Sequence, residues 1–468
     1  MPGLVLRESI TGRSYQNQRR AKLNAVPKAI FTSYLAFLLA IYLIGLPLHG
    51  VLQKYLPFVY LLGWTEYVQL LSLPLIALAF LRNEFSFTRK VAAVPIFCAA
   101  GALTTMELGS LKAGLSGYLL VFGTLGLGFS FPTFVSQYLI NPKRIWYVAL
   151  LFGFGVFGAT WILLEAPLGL SNFFHYGAER YGASRAIFSF DGPMMAGQYY
   201  WLLGALSLFV VHSFHPNRTI RKVSLFTGIL FLFSTIATLS RGPIALSVFT
   251  ASIFIFVRNF HSIEKSTLQI LGALILICGV TVVGYFTVLD EDMKFASYSL
   301  FDSFLSSNEQ SNSLRIERIK EGWYFAKNDF KLEGHGSGLL SHFNESGRVS
   351  DLNATDKVQF ENTYLTISYG LGIWGATLSI WILLFYLLQL LKLSTSLMTL
   401  QDYPLGLLSF VIIFPWLFYS NLFPAFSQDL SSLVLYAGWS CSAFHFHWLP
   451  QETPLADRKF KLRSSWVR

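Results

Sequence analysis

The chain has 468 residues, of which 53% are hydrophobic and only 13% are charged. A typical soluble domain carries about 25% charged residues, so this composition excludes a soluble globular protein and indicates repeated membrane spans. The formal net charge of +10 lies mainly in short loops and in both tails, where it fits an orientation signal better than a nucleic-acid surface.

The first part of the chain, residues 1–29, is polar and basic, and no short apolar stretch there leads into a small-residue cleavage site. We therefore expect a cytoplasmic tail, with the first span directing insertion. The cysteines Cys98, Cys278 and Cys441 each fall inside an apolar stretch. That distribution predicts neither a disulfide framework nor a metal cluster.

Apolar length and charged flanks predict an all-α polytopic membrane protein with about twelve transmembrane helices. The predicted spans are 30–46, 66–81, 91–106, 114–135, 146–164, 194–211, 223–239, 243–257, 268–288, 364–391, 406–421 and 429–448. A weaker apolar stretch at 51–64 is interpreted as an interfacial helix with aromatic residues at headgroup level.

The even number of spans puts both tails in the cytoplasm. Spans one to nine then occupy 30–288, a periplasmic segment follows at 289–361, the last three spans lie within 362–448, and a basic tail covers 449–468. Each predicted inward loop carries Lys or Arg. The last has the weakest signal, because its only basic residue, Lys392, is balanced by Asp402. This agreement with the positive-inside rule supports the predicted orientation.

The periplasmic segment contains a predicted amphipathic helix at 311–327. Its apolar face is formed by Ile316, Ile319, Trp323 and Ala326, which recur at steps of three and four residues. Two interpretations remain open and compatible: a helix that lies on the membrane surface and a small helical cap over the spans.

Arginines in the predicted outer segments are the most informative feature of the chain. They are Arg180, Arg185, Arg241, Arg315 and Arg318. Orientation rules favour Lys and Arg on the cytoplasmic side, so basic residues outside need another explanation. Because the guanidinium fork binds phosphate oxygens bidentately, we expect an anionic, phosphate-bearing substrate at the outer face.

Arg241 lies in a short turn, 240–242, between two spans, and Pro243 can begin the next helix. The positive end of that helix and its free amides would add to the guanidinium and form an anion site. The alternative is an arginine that snorkels to lipid phosphate. Both interpretations place the side chain at the membrane boundary.

Arg180 and Arg185 lie in an outer loop, 179–191, and could converge on one ligand if the loop folds over it. The alternative is a pair of solvated loop arginines. Arg185 is the stronger candidate, because the apolar residues 186–188 would hold it near the membrane boundary.

The segment GHGSG at 334–338 suits a tight backbone, but without a strand–turn–helix frame it does not predict dinucleotide binding. Glu361 and Asn362 lie where the chain re-enters the membrane. Glu361 could act as a general base or help to cap the helix that follows. His335 is the rival base, since it titrates in a more useful range. No spacing of His, Cys or carboxylates supports a metal site.

Four motifs in chain order carry a family resemblance. They are RAIFSFDGPMMAG at 185–197, SRG at 240–242, the Arg-rich helix that leads into GHGSG, and ENTYLTISYGLGIWG at 361–375. Together they resemble the O-antigen ligase and Wzy-type polymerase family of bacterial envelope polysaccharide enzymes. Each motif alone is weak, whereas four of them in order on a polytopic frame are moderately specific.

The resemblance implies an inverting membrane glycosyltransferase of the GT-C type at the periplasmic face of a bacterial inner membrane, with no metal, cofactor or nucleotide sugar. The donor would be a glycan on undecaprenyl diphosphate. Arg185 and Arg241 would hold the diphosphate, and Glu361 would be the third catalytic residue. Substrate-binding positions would be Arg180, Arg315, Arg318, His335, Asn362 and Tyr364. A chain-length regulator and a flippase would be partners, besides membrane lipids.

One departure bears on the reaction. The ligases usually carry His before the Asn of the last motif, whereas this chain carries Glu361. The departure favours a polymerase over a ligase that transfers finished glycan to a lipid A–core acceptor. A transporter of lipid-linked oligosaccharide is a further alternative, but it would place ionisable residues deep within spans. Here Glu66 and Asp429 lie only near span ends.

Overall fold

The computed structural model describes residues 30–49, 51–52, 63–84, 89–106, 111–165, 168, 178–180, 183–186, 188–190, 193–259, 310–340, 362–395, 405–406, 408–413 and 429–448. Within these residues the fold is helical, with a single short pair of strands.

The elements of this part of the chain are numbered in order. They are α1 (Ile30–Gly45), α2 (Trp64–Leu81), α3 (Arg89–Ala102), α4 (Leu111–Phe122), α5 (Leu125–Phe129), α6 (Phe131–Phe134), α7 (Ile145–Glu165), β1 (Ala178–Arg180), β2 (Ala183–Arg185), α8 (Pro193–Ala205), α9 (Arg218–Ser234), α10 (Arg241–Asn259), α11 (Gln310–Asn328), α12 (Thr363–Thr395) and α13 (Asp429–Trp448).

Short 3₁₀ turns follow several of these helices, at Leu46–Leu48, Leu103–Thr105, Pro142–Arg144, Ile236–Thr238 and Ser337–Leu340. Single π-helical turns extend α6 and α8, at Val135–Leu139 and Leu206–His212.

Seven segments of the described chain are long and apolar enough to cross a membrane: Ile30–Leu48, Trp64–Leu81, Leu111–Phe129, Pro142–Glu165, Pro193–His212, Arg218–Thr238 and Thr363–Gln389. Two shorter apolar helices, Val91–Thr105 and Arg241–Ile255, correspond to two further predicted spans. The predicted span 268–288 lies outside the described residues, as do most of 406–421 and most of the stretch 51–64. The protein is a helical integral membrane protein, and the number of about twelve spans stays a prediction.

Helix boundaries follow local capping more closely than the hydropathy pattern. The predicted span 223–239 begins in the structure at Arg218, because the Asn217 side chain accepts hydrogen bonds from the backbone N–H of Thr219 and Ile220, at 2.8 and 3.3 Å. An Asn at this position satisfies the free amides of a first helical turn. The basic residues before the apolar run therefore belong to α9.

Two segments form the interior of the helix bundle. Pro193–His212 is 94% buried and Leu111–Phe129 is 83% buried, whereas each of the other candidate spans is at most half buried. Hydroxyl groups join α13 to this interior: Ser431 Oγ donates to Gln198 Oε1 at 2.8 Å and Ser440 Oγ donates to the Gly128 carbonyl at 2.7 Å. Such bonds hold helices together where lipid provides no hydrophobic drive.

One end of the bundle, which we call the upper end, is defined by the end of α1 and the start of α2. There His49 lies beside Trp64, with ring centroids 6.3 Å apart. Ser116 of α4 donates to Glu66 Oε1 at 3.1 Å, and Ser337 Oγ donates to the Gly114 carbonyl at 2.8 Å. The N-terminal turns of α2 and α4 and the turn Ser337–Leu340 therefore lie together at the upper end.

The opposite, lower end carries the basic loops. Glu84 Oε2 accepts from the Thr32 N–H at 3.0 Å, at the start of α1. The Arg82 guanidinium lies 5.1 Å from the centre of the Phe31 ring, and that of Arg144 lies 4.3 Å from the centre of the Tyr138 ring. The predicted inward loops after α2 and α6 thus share one end.

Candidate active site

Arg241 is the first residue of α10 and is only 8% exposed. Leu239 adopts a left-handed backbone conformation (φ 48°) and turns the chain sharply between α9 and α10. The Ile244 N–H bonds to the Ser240 carbonyl at 3.1 Å, which closes the first turn. The sequence predicted a turn at 240–242 and a helix start at Pro243, whereas α10 begins two residues earlier, at Arg241. The Arg241 guanidinium therefore belongs to the first turn, at the positive end of the helix.

The start of α10 is fixed against α8 by a glycine. A Cβ atom on Gly197 would lie 2.6 Å from the Pro243 Cβ and 3.1 Å from the Thr238 hydroxyl oxygen, so only glycine permits this approach. The last residue of the RAIFSFDGPMMAG motif thus packs directly against the residues that flank the SRG motif. The two motifs are neighbours in space.

Arg180 and Arg185 lie on an antiparallel hairpin, β1–β2, which the structure describes by its backbone. In its register Arg180 is opposite Ala183 and Arg185 is opposite Ala178. Arg180 is therefore next to the turn and Arg185 is at the base. The sequence predicted an outer loop here. In the structure, part of this loop forms a short antiparallel hairpin.

The base of the hairpin is joined to the turn before Arg241. The N–H of Ala186, the residue after Arg185, donates to the Ala237 carbonyl at 3.4 Å. Both alanines are buried. The backbone next to Arg185 therefore lies beside the turn that leads into Arg241, as an arrangement of the two arginines around one ligand requires.

The chain after Ala186 makes a buried turn, Phe188–Phe190, that the sequence did not predict to be structured. Phe188 has a left-handed backbone (φ 53°) and its N–H donates to Glu165 Oε2 at 2.9 Å. Ser189 Oγ accepts from the Val51 N–H at 2.9 Å, just after the end of α1. These two bonds place the Arg185 hairpin base at the upper end.

A glycine clamp joins the segment 332–336 to the helix α12. The N–H groups of His335 and Gly336 donate to the Tyr369 and Gly370 carbonyls at 3.1 and 3.0 Å, and the Ile373 N–H donates to the Leu332 carbonyl at 2.8 Å. A Cβ on Gly334 would lie 2.5 Å from the Gly370 carbonyl oxygen. The tight backbone predicted for GHGSG is confirmed.

The clamp also bends α12. Gly372 has φ 57° and ψ −132°, and a Cβ atom there would clash with the Leu332 carbonyl oxygen. The sequence predicted one continuous span at 364–391. The structure instead has a kink at Gly372, because the backbone of 332–336 makes hydrogen bonds with carbonyl and N–H groups that would pair within a straight helix.

His335 is held within this clamp and its side chain is 12% exposed. Its ring stacks on the Tyr369 ring, with centroids 3.9 Å apart and planes 15° apart. Nε2 donates to the Asp329 carbonyl at 2.8 Å and lies 3.6 Å from the Asp329 carboxylate, to which the Tyr369 hydroxyl donates at 3.1 Å. One ring nitrogen of His335, the alternative general base, is thus already hydrogen-bonded within the protein.

Asn362 is the N-cap of α12. Its Oδ1 accepts from the N–H groups of Tyr364 and Leu365, both at 3.0 Å, and the residue is buried. Glu361, for which a capping role was one interpretation, lies outside the described residues, and the observed cap is Asn362. Tyr364 is buried, and its carbonyl accepts from Ser368 and Ser379. Substrate binding by Asn362 and Tyr364 stays a prediction.

The predicted helix at 311–327 is confirmed as α11, and it includes Arg315 and Arg318. One residue of its predicted apolar face, Ala326, contacts α12. Phe325 and Ala326 pack against Leu365 and Tyr369 of α12, while Trp323 is 63% exposed. The rotation of α11 about its own axis determines which of its apolar residues contact α12. The sequence periodicity does not determine this rotation.

The match to known proteins covers the middle of this arrangement. The O-antigen ligase family model matches residues 226–380, from α9 to the first half of α12. Over this region the chain is similar to the O-antigen ligase family. Members of this family are membrane glycosyltransferase-like enzymes. The matched region includes Arg241, α11, the glycine clamp and Asn362, whereas Arg185 lies before it. No curated protein matches the chain.

A buried acidic residue near the candidate site that sequence reasoning did not single out is Glu165, the last residue of α7. It is buried, and its carboxylate binds the turn after Arg185. An acidic residue that closes an otherwise apolar span was the available signal.

Proposed function

We propose that the protein is a polysaccharide polymerase that joins repeat units carried on undecaprenyl diphosphate, by inverting glycosyl transfer without a metal ion. The observation that carries this proposal is the backbone contact between Ala186 and Ala237, which brings the Arg185 hairpin to the start of α10. Two arginines and a helix N-terminus around one position form a strong site for a diphosphate.

The charge distribution supports a periplasmic location of this site. The basic residues of the loops after α2 and α6 lie at the lower end, while the turn at 186–190 and the glycine clamp lie at the upper end. By the positive-inside rule the lower end is cytoplasmic. Both chain termini are then cytoplasmic in the proposed arrangement of about twelve spans.

The proposed reaction is a single displacement at the anomeric carbon of the donor sugar. An acceptor hydroxyl oxygen attacks this carbon from the face opposite the diphosphate, and the bond between the carbon and the phosphate oxygen breaks. Undecaprenyl diphosphate leaves with the bonding electron pair. Arg185 and Arg241 stabilise the negative charge that develops on the leaving group, which is the main catalytic contribution.

The proton of the acceptor hydroxyl goes to Glu361 in this mechanism. Glu361 precedes Asn362, the N-cap of α12, so the carboxylate would be held at the start of a membrane helix. Arg180, Arg315, Arg318, His335, Asn362 and Tyr364 are proposed to contact the lipid-linked glycans.

The ligase is the second candidate, because the matching family model is that of O-antigen ligases. The donor chemistry is the same and only the acceptor differs. We therefore propose an assay with purified protein in liposomes, lipid-linked repeat unit, and either no other acceptor or lipid A–core. A ladder of products without the core acceptor supports the polymerase. A single transfer that requires the core acceptor refutes it in favour of the ligase.

Glu361→Gln tests the proposed base in the same assay. Removing a general base costs about 10²- to 10⁴-fold in rate, so the variant should form almost no product, while Glu333→Gln, an exposed carboxylate of the clamp segment, should be close to wild type. Full activity of Glu361→Gln would remove the carboxylate from the mechanism.

A further inference from the structure

Glu165 ends α7 at a buried position, where the loss of hydration is energetically unfavourable for a carboxylate. It is the last residue of an apolar helix of 21 residues and is 1% exposed. A buried acidic residue at the end of a span persists only where hydrogen bonds compensate its lost hydration, and such residues are functional candidates by default.

The contact made by Glu165 explains the unusual backbone of the next segment. Phe188 has φ 53°, a left-handed conformation that is unfavourable for a bulky residue. Its N–H donates to Glu165 Oε2 at 2.9 Å, and its ring lies between 5.8 and 6.0 Å from the rings of Phe157 and Trp161 on α7. A charge-assisted hydrogen bond and ring packing therefore hold the turn in that conformation.

The same turn is bound at two other points. Ser189 Oγ accepts from the Val51 N–H at 2.9 Å, and the Ala186 N–H donates to the Ala237 carbonyl at 3.4 Å. The turn thus connects α7 and the end of α1 to the segment that leads into Arg241. The Ala186 bond, two residues before Phe188, is the longest of the three.

We propose that Glu165 is a positioning residue: by fixing the Phe188 turn, its carboxylate sets the separation between the Arg185 hairpin and the start of α10. The proposal rests on the proposed function in that the two arginines are taken to bind one diphosphate. The carboxylate itself does not touch the substrate. A misplacement of about 1 Å at such a site costs about 100-fold in rate.

A cross-linking experiment tests the geometry without any substrate. Ala186→Cys and Ala237→Cys are introduced together in full-length protein whose native cysteines are replaced by serine, and the rate of disulfide formation is measured in membranes. Glu165→Leu should slow this rate about tenfold, the effect of losing one charge-assisted hydrogen bond. Glu165→Gln keeps an acceptor oxygen but not the charge, so it should slow cross-linking only about threefold.

Glu84→Leu is the matched control. Glu84 also accepts a backbone N–H, that of Thr32 at 3.0 Å, but at the lower end of α1. Its loss should leave cross-linking unchanged. If Glu165→Leu is not recovered from membranes, Glu165→Asp, which shortens the reach of the carboxylate, replaces it and should slow cross-linking several-fold.

Turnover of lipid-linked repeat unit is the second measurement. Glu165→Leu should lower kcat about 100-fold, and the 186–237 disulfide should restore most of it. Cross-linking of Glu165→Leu at the parent rate would overturn the proposal. So would a cross-linking rate that is lowered as much in Glu165→Gln as in Glu165→Leu. If cross-linking behaves as expected but no variant, the parent included, makes polymer, the proposed function fails and the role of Glu165 in the geometry stands.

Discussion

At the residue scale, the described site residues differ in how many contacts they already make within the protein. Arg241 is buried at the N-terminus of a long helix, which favours an anion-binding role. His335 and Asn362 already make contacts within the protein, in a ring stack with a carbonyl bond and in a helix cap, so any contact that they make with the glycan is additional to these. The electrostatic contribution to catalysis is therefore expected mainly from the arginines.

Arg241→Ala should lower kcat about 10²- to 10³-fold, because one donor to the developing negative charge is lost. Arg241→Lys should recover only part of this, since the ammonium group keeps the charge but not the bidentate fork. Initial rates of polymer formation measure both variants. Arg144→Ala, at the lower end over Tyr138, is the control and should keep the wild-type rate; equal losses in both alanine variants would contradict a specific role of Arg241.

His335→Phe should lower activity by less than about tenfold, because a phenyl ring can keep the stack on Tyr369 while the bond to the Asp329 carbonyl and one proposed contact to the glycan are lost. A general base at this position would instead cost at least about 100-fold. The rate of polymer formation at several pH values decides between them. His335→Ala, which loses the stack as well, should lower both the Tm and the activity.

The sequence could supply the identity of these residues but not their roles. The motif around Glu361 and Asn362 marked the start of a span, yet whether the carboxylate or the amide caps the helix depends on a backbone angle that no pattern records. Glu165 was not singled out, because its partner, the Phe188 N–H, lies 23 residues along the chain.

At the element scale, the glycine clamp is the feature that shapes α12. Three backbone hydrogen bonds join 332–336 to 369–373, and Gly334, Gly336 and Gly372 all have positive φ angles. The clamp holds α11 against the first turns of α12, and hence holds the Arg-rich helix near the Asn362 cap. The kink is thus part of the upper end and of the proposed site.

Gly334→Ala should lower the free energy of unfolding by more than about 2 kcal/mol. The added Cβ meets the Gly370 carbonyl oxygen at 2.5 Å, and φ is +79°, a conformation that costs about 1–2 kcal/mol for an alanine. Gly153→Ala in α7 is the control: its Cβ meets nothing within 4 Å and gains about 0.5–1 kcal/mol of helix propensity. Thermal unfolding in detergent compares the two, and a similar Tm for both would contradict the clamp.

Helices could be located from sequence because apolar runs and Arg or Lys flanks mark them, as for α2 and α7. The irregularities of these helices, and the structure of the segments between them, could not be predicted from sequence. The bend at Gly372, the hairpin at 178–185 and the buried turn at 188–190 all depend on a second segment that approaches from elsewhere in the chain. In the sequence, tertiary contacts of this kind are indicated by no more than isolated glycines.

At the scale of the whole molecule, the bundle is polarised. The RAIFSFDGPMMAG motif and the clamp with its GHGSG motif lie at the upper end, while Arg82 and Arg144 lie at the lower end. These contacts join segments up to 223 residues apart. The predicted order of inward and outward loops is consistent with this arrangement.

Membrane sidedness follows from that polarity and can be measured. Lys143 and Glu333 are both exposed, the first at the lower end and the second beside the clamp at the upper end. In intact cells, an impermeant maleimide should label Glu333→Cys and leave Lys143→Cys unlabelled until the inner membrane is opened. The native Cys98 and Cys441 are buried, and serine replaces all three native cysteines so that only the introduced thiol reacts. The reverse labelling pattern would put the arginines in the cytoplasm, away from any periplasmic glycan donor.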